Sequence, residues 1–217
     1  SSDVCSSDLL ISMPITPLHL GPGLIFKALA GAKLSLMMFS FAQIAMDTEV
    51  ILRLVSGSAR LHGFTHTILG ATAVLLICVP LGRPLCEGVL RWWNIQLNER
   101  QAKWLGVDAA ISWRAAWIGG ASGVYSHLML DAVMHADAQP WMPFSRANNL
   151  LDLVSIEVLN GLCLIAVFIG VILTAGVRII STRRWENFSA NGSRFHPGSP
   201  ANRADHPPER CRRDTGT

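Results

Sequence analysis

The stretch that decides the fold is Ala115–His135, AAWIGGASGVYSHLMLDAVMH, an apolar run that nevertheless carries histidine and aspartate. Its length is close to the ~20 apolar residues that a helix needs to cross the hydrocarbon of a bilayer. His127, Asp131 and His135 are spaced four residues apart, so a helix projects all three from one face. The run therefore predicts a membrane helix with an imidazole and carboxylate face, the ligand mixture of catalytic zinc sites.

The composition of the whole chain favours a membrane protein whose partners are lipids. Of its 217 residues 50% are hydrophobic and only 15% are charged. The apolar residues concentrate in four runs, Leu34–Met46, Phe64–Leu81, Ala115–Met134 and Ile156–Ile180. The last two runs approach or exceed the length of a membrane span. Nucleic-acid binding has little support, because the net charge is only +3.

Start and stop signals predict about five helices, joined by short loops and one amphipathic interfacial stretch at Glu87–Asp108. Thr16 and Pro17 begin the first helix, and Gly31 with Lys33 marks a tight reversal into the second. Pro80, Gly82 and Pro84 are expected to end the third. The predicted helices are Pro17–Leu29, Leu34–Asp47, His62–Val79, Arg114–His135 and Leu153–Ile180. The fold class is an all-α, polytopic membrane helical bundle over residues 13–180.

Both ends of the chain are excluded from this bundle. Residues 1–12 open with a near-duplication, SSDVC followed by SSDL, which resembles a translated sequencing adapter, so we expect the natural protein to begin at Met13. Residues 181–217 are rich in Arg, Pro, Ser and Gly and predict a disordered basic tail. With Cys5 set aside, the other four cysteines have no CxxC spacing, which excludes a disulfide framework and a thiolate zinc site.

The positive charges predict the orientation in an inner membrane. They cluster at Lys27 and Lys33, in the connection from Arg83 to Lys103, and after the last helix. In a five-helix topology these positions share one side, which should be cytoplasmic. The same threading brings the early His19, the helix-end Asp47 and the histidines of the third and fourth helices together on the extracytoplasmic side.

Each candidate residue also has an ordinary structural interpretation. Ionisable groups inside a span cost roughly 2.5–3.5 kcal/mol, which favours a functional role for His127 and Asp131 over simple helix packing. His62 and His66 are spaced i, i+4 but lack the Glu of a His-Glu-x-x-His motif. The ordinary alternative is a first-turn polar group for His19 and a helix-end acid for Asp47. Glu49 and Asp137 have the alternative of solvated loop groups.

Four ordered elements carry a resemblance: TPLH at 16–19, MD at 46–47, GFTHT at 63–67 and YSHLMLD at 125–131. Over Met13–Ser155 the chain resembles the membrane-bound metal-dependent hydrolases, small bacterial multi-helix proteins. One departure is Leu61-His62-Gly63, where many members have His-Arg-Gly, which moves the first histidine by one residue. A more distant similarity is to zinc-dependent phospholipase C domains, whose longer Ser-His-x-x-x-Asp-x-x-x-His pattern His135 completes.

The resemblance implies hydrolysis by water activated on one or two divalent ions. The implied ligands are His19, Asp47, His66, His127 and Asp131, with His135 added by the second similarity. Ligand type favours zinc, and manganese or iron suits the same donors. His62 and Glu49 are candidates for the general base. A site at the outer leaflet would act on a phosphoester or lipid-linked substrate.

Two other classes of function remain open. A metal carrier or sensor would use the same ligands without chemistry, although polar groups are few at mid-depth of the third and fifth helices. A structural membrane protein would use the polar cluster only to join helices. Loss of His127 or Asp131 would then cost stability but no bound metal.

Overall fold

The computed structural model describes residues 19–192, and the regular secondary structure of this part of the chain is helical throughout. Its helices are α1 (Leu20–Ala30), α2 (Leu36–Val55), α3 (Ile68–Gln96), α4 (Glu99–Leu105), α5 (Trp113–Met134) and α6 (Ile156–Gly192). Single 3-10 turns lie at Gly31–Lys33 and Phe64–His66. The all-α prediction is confirmed for these residues. By its internal contacts the chain divides into two units after Gly176, and the features described below lie in the first unit.

Helices α2, α3 and α5 pack against one another and form the core. The core is built from buried apolar side chains of these helices, including Met38, Met46, Val79 and Val124. Small residues on α5 let the helices approach closely, since a Cβ on Gly123 would meet the Phe39 carbonyl of α2 at 2.5 Å. The polar faces of α2 and α5 are consequently held against each other inside the core.

The predicted reversal between the first two helices is confirmed. Gly31 adopts φ +57, a conformation that glycine enters without strain. Lys27 Nζ donates to the carbonyls of Gly31 (2.9 Å) and Leu34 (2.8 Å), and the Ser35 hydroxyl caps α2 by accepting from the Met38 N–H. The predicted start signal at Thr16 and Pro17 lies outside the described residues.

Two predicted helix boundaries were wrong. Helix α2 does not end at Asp47 but continues to Val55, so Asp47 lies inside a helix. Helix α3 runs through Pro80 and Pro84 to Gln96. Each proline removes one backbone hydrogen bond and lies on the exposed face of the helix, whereas Val79, Gly82 and Cys86 on the other face are buried. Membrane helices tolerate such breaks when neighbours pack against them.

The third helix also begins later than predicted. His62 and Gly63 lie in a loop, and Thr67 caps α3 by accepting from the Gly70 N–H. His62 and His66 therefore do not lie on one face of an α-helix, although they are four residues apart in the sequence. The predicted interfacial stretch is divided between the end of α3 and α4, which Asn98 and Gln101 start with a capping box.

The last two helices match their predictions more closely. Helix α5 differs from the predicted Arg114–His135 by one residue at each end, whereas α6 begins at Ile156 and extends to Gly192, beyond the predicted Ile180. Among the residues that the structure describes, two helical segments are long and apolar enough to cross a membrane, Ile68–Gln96 and Ile156–Val177. The adapter-like residues 1–12 and the tail from 193 onward lie outside the described residues, and the predictions about them stay predictions.

Candidate metal centre

Five of the six predicted metal ligands converge in one buried cluster, which we call the His–Asp cluster. They come from the start of α1, the middle of α2, the 3-10 turn before α3, and α5: His19, Asp47, His66, His127 and Asp131. His66 and His127 are fully buried, while His19 and Asp131 are each 3% exposed. Burial of so many ionisable groups in an apolar core requires that they satisfy one another or a ligand.

Asp131 is the centre of the His–Asp cluster. Its Oδ2 atom lies 3.0 Å from His66 Nε2, 3.0 Å from His127 Nε2 and 3.8 Å from His62 Nε2. Asp47 Oδ1 adds a second carboxylate oxygen, 3.2 Å from His127 Nε2. Three imidazole nitrogens and two carboxylates therefore face one small volume.

The second nitrogen of His127 is committed to Gln43. His127 Nδ1 lies 2.7 Å from Gln43 Oε1, which can only accept, so Nδ1 donates. The amide orientation is set from the other end, because Gln43 Nε2 donates to the His19 carbonyl and to Ser126 Oγ, both at 3.3 Å. A neutral His127 then directs the lone pair of Nε2 toward Asp131 and Asp47.

His66 is oriented in the same way by a chain of hydrogen bonds. The Thr65 hydroxyl donates to Glu49 Oε2 at 2.5 Å and accepts from His66 Nδ1 at 3.0 Å. This leaves His66 Nε2 facing Asp131 with a lone pair. Glu49 is held by the Thr65 and Phe64 N–H groups and by Arg53 Nε as well.

His62 forms a dyad with Asp137 beside the cluster. His62 Nδ1 donates to Asp137 Oδ1 at 2.7 Å, and Asp137 Oδ2 accepts the N–H groups of Leu61 (2.8 Å) and His62 (3.0 Å). Burial raises the pKa of Asp137, yet the hydrogen bonds that it accepts from His62 and Leu61 leave this pKa lowered overall. His135 stacks on the His62 ring with centroids 4.2 Å apart.

The donor set fits a divalent cation. Both ring nitrogens of His19, together with Nε2 of His66 and of His127, are buried without a hydrogen-bond partner in the described part of the chain. His66 Nε2 and His127 Nε2 each lie 3.0 Å from Asp131 Oδ2. Buried polar atoms without hydrogen-bond partners are costly, and a divalent cation would give these nitrogens a partner.

Three sets of donor atoms lie within 4.8 Å of one another: His19, His127 and Asp131; His62, His66 and Asp131; His62, His135 and Asp137. The first two sets share Asp131. His135 belongs only to the third, at the edge of the cluster, where it is partly exposed. His135 lies just after the end of α5 at Met134, and its predicted role as a ligand stays a prediction.

Sequence reasoning missed three residues of this site. Asp137 has the sequence interpretation of a solvated loop group, and its position two residues after His135 was the available signal for a role at the site. Gln43 is one of few polar residues in the apolar run Leu34–Met46 and lies one turn before Asp47, which was a usable signal. Thr65 gave no such signal, since its role depends on Glu49, sixteen residues earlier.

Comparison with known proteins identifies the family of the chain. A family model described as YdjM inner membrane protein matches residues 16–190. This is most of the chain, which therefore belongs to the YdjM inner membrane protein family. No curated protein and no solved structure gave a match. The family match thereby confirms the predicted location in the inner membrane, but it does not concern the side on which the cluster lies.

The two family resemblances drawn from the motifs were wrong. The matching family is described only as an inner membrane protein, and nothing in the comparisons points to metal-dependent hydrolases or phospholipase C domains. The motifs are short, and a His and an Asp one helical turn apart arise wherever a helix presents both groups on one face. Any function of the cluster has to be argued from its geometry.

Proposed function

We propose that this inner membrane protein is a metal-dependent hydrolase whose His–Asp cluster holds at least one divalent cation. The observation that carries the proposal is the meeting of His66 Nε2 and His127 Nε2 at one oxygen of Asp131. Both histidines have the other nitrogen committed, to Thr65 and to Gln43. Outer partners of this kind orient the histidine ligands of metal sites.

The cation would be held by Asp131, His66 and His127, with Asp47 and His19 completing the donor set. When bound, it would lower the pKa of a water ligand and polarise the scissile group. Imidazole and carboxylate donors favour zinc, and manganese or iron suits the same set. All five side chains are positioned by buried helices or by the turn that precedes α3, so little reorganisation is needed on binding.

His62 is our candidate for the general base. Asp137 accepts a hydrogen bond from the Nδ1–H group of His62. The Nε2 atom of His62, which faces Asp131, can then take a proton from water. Glu49 is the weaker candidate, because Arg53, Phe64 and Thr65 already occupy its carboxylate oxygens. We assign Glu49 a positioning role through Thr65 and His66.

We place the His–Asp cluster at the extracytoplasmic end of a multi-helix membrane domain. The turn between α1 and α2, with Lys27 and Lys33, lies beside the start of α5, since Ser35 N–H donates to the Ala115 carbonyl. Arg83 lies at the same end of the helices, because it donates to the carbonyl of Ile111, just before the start of α5. These cations lie away from the cluster, and positive charge is retained on the cytoplasmic side.

Metal content of detergent-purified protein tests the proposed site. We expect near-stoichiometric zinc, manganese or iron in the wild type, measured by mass spectrometry after metal reloading. Asp131→Asn and His127→Gln should each lose the metal, because both remove a donor atom. Asp108→Asn removes an exposed carboxylate in the loop before α5, and this control variant should retain the bound metal.

The hydrolase part of the proposal needs a second measurement. The loaded wild type should hydrolyse a phosphomonoester or phosphodiester substrate, and His62→Gln should lower kcat while it keeps the metal. A wild type that binds no metal after reloading would overturn the site. Bound metal without turnover of any phosphoester would overturn the hydrolase and leave a metal-binding protein.

A further inference from the structure

A cavity of about 330 Å³ lies beside the His–Asp cluster, and His62 is part of its wall. The cavity is lined at one side by two arginines, Arg53 and Arg60, and elsewhere by apolar side chains that include Phe64, Leu69 and Met142. It combines cationic groups with a mainly apolar surface. That combination is typical of sites for amphiphilic anions.

The two arginines are not equivalent. Arg53 Nε is paired with Glu49 Oε1 at 2.9 Å, which neutralises most of its charge. Arg60 is exposed, and within residues 19–192 its guanidinium has one hydrogen bond, to the Asp137 backbone carbonyl at 3.4 Å. Among the described residues no carboxylate lies within ion-pairing distance of Arg60. Its charge is therefore available to an anionic ligand, for which a guanidinium is well suited.

The apolar side of the cavity lies where a candidate membrane span begins. Leu69 belongs to the first turn of α3 and is 46% exposed, and the preceding Phe64 is 61% exposed. The nearby loop adds Phe144, at 85% exposed. Large exposed apolar groups at the start of a span lie at the level of lipid headgroups and upper acyl chains. A lipid can thus reach the cavity from the bilayer.

We infer that this cavity binds the phosphate headgroup of a membrane lipid, with the phosphate on Arg60 and the upper acyl chain against Leu69 and Phe64. The phosphate then lies next to the His62 wall, which is shared with the His–Asp cluster. This inference names the substrate class of the proposed hydrolase and rests on that function for turnover. Binding itself requires no turnover, so the two can be tested apart.

The test is binding of short-chain phosphatidic acid to the purified full chain, measured by calorimetry with inorganic phosphate as the headgroup-only probe. Arg60→Gln should bind about tenfold or more weakly, since a charge-assisted contact is lost. Arg100→Gln, an exposed arginine on α4, is the matched control and should bind as the wild type does. Leu69→Trp fills the cavity and should also weaken binding, whereas Leu85→Trp on the same helix should not.

Each outcome separates the two proposals. Binding that is lost in Arg60→Gln while metal content is unchanged supports the lipid site. Binding that persists in Arg60→Gln, or that is absent from the wild type, overturns it. Inorganic phosphate that binds as tightly as the lipid overturns the acyl-chain contact. If the wild type holds no metal but shows the expected lipid binding, the hydrolase fails and the lipid site stands.

Discussion

At the scale of single residues, the partners of the histidines define the chemistry of the cluster more than the histidines do. Thr65 has one hydroxyl proton and gives it to Glu49, so it can only accept from His66 Nδ1. Gln43 acts on His127 through its carbonyl oxygen. Both residues fix a tautomer without facing the donor volume themselves. The site therefore depends on residues that no ligand pattern contains.

We expect Thr65→Val to weaken metal binding by about 10–100-fold, the usual effect of losing an outer partner of a ligand. Valine keeps the shape of threonine but leaves His66 free to rotate and to change tautomer. Thr65→Ser restores the hydroxyl and should restore affinity. Affinity is measured by competition with a chelator of known strength. Equal affinity in the valine variant and the wild type would contradict the role of this hydrogen-bond chain.

At the scale of helices, glycines on α5 set the distance to α2 and thereby the position of Gln43 and Asp47. A Cβ on Gly123 would meet the Phe39 carbonyl at 2.5 Å and the Ala42 Cβ at 3.0 Å. Both contacts lie on α2, where Phe39 is about one turn before Gln43 and two turns before Asp47. Since helices transmit displacement along their length, crowding at this contact should reach the site.

Gly123→Ala should lower stability by about 1–3 kcal/mol, the usual cost of overpacking, and lower metal content with it. Thermal unfolding in detergent and mass spectrometry measure the two effects. Gly161→Ala on α6 is the control, because nothing lies within 4 Å of its added Cβ, and a helical Gly→Ala change there should be neutral or stabilising. A Gly123→Ala variant as stable and as metal-rich as the control would show that the contact is not limiting.

At the scale of the molecule, the polar groups separate into two ends of the first unit. The reversal with Lys27 and Lys33 lies at the end that holds Ala115 and Arg83. The loop after α2, with Ser58, lies at the end that holds the cluster, because Arg60 and Leu61 contact Asp137. The positions of Lys27, Lys33 and Arg83 at the opposite end underlie the orientation that we propose, while Arg53 and Arg60 lie at the cluster end.

Cysteine labelling in intact cells should report this orientation. With Cys5 and Cys211 replaced by serine, a membrane-impermeant maleimide should label Ser58→Cys and not Ala32→Cys, and both positions are exposed. Cys78, Cys86 and Cys163 are buried and should stay unlabelled. Permeabilised cells, in which both positions should react, provide the control. Labelling of Ala32→Cys alone would invert the proposed topology.

The sequence by itself determined the helical class, the reversal at Gly31 and the placement of His127 and Asp131 on one helix face, because these depend on composition and on the local geometry of one helix. It failed at Pro80 and Pro84, which are exposed while the opposite face of α3 packs against neighbouring helices, so that this packing outweighed a local stop signal. The choice of His62, Asp137, Gln43 and Thr65 as partners was decided only by tertiary structure. Their contacts join positions up to 84 residues apart, and no local rule specifies which polar groups meet across packed helices.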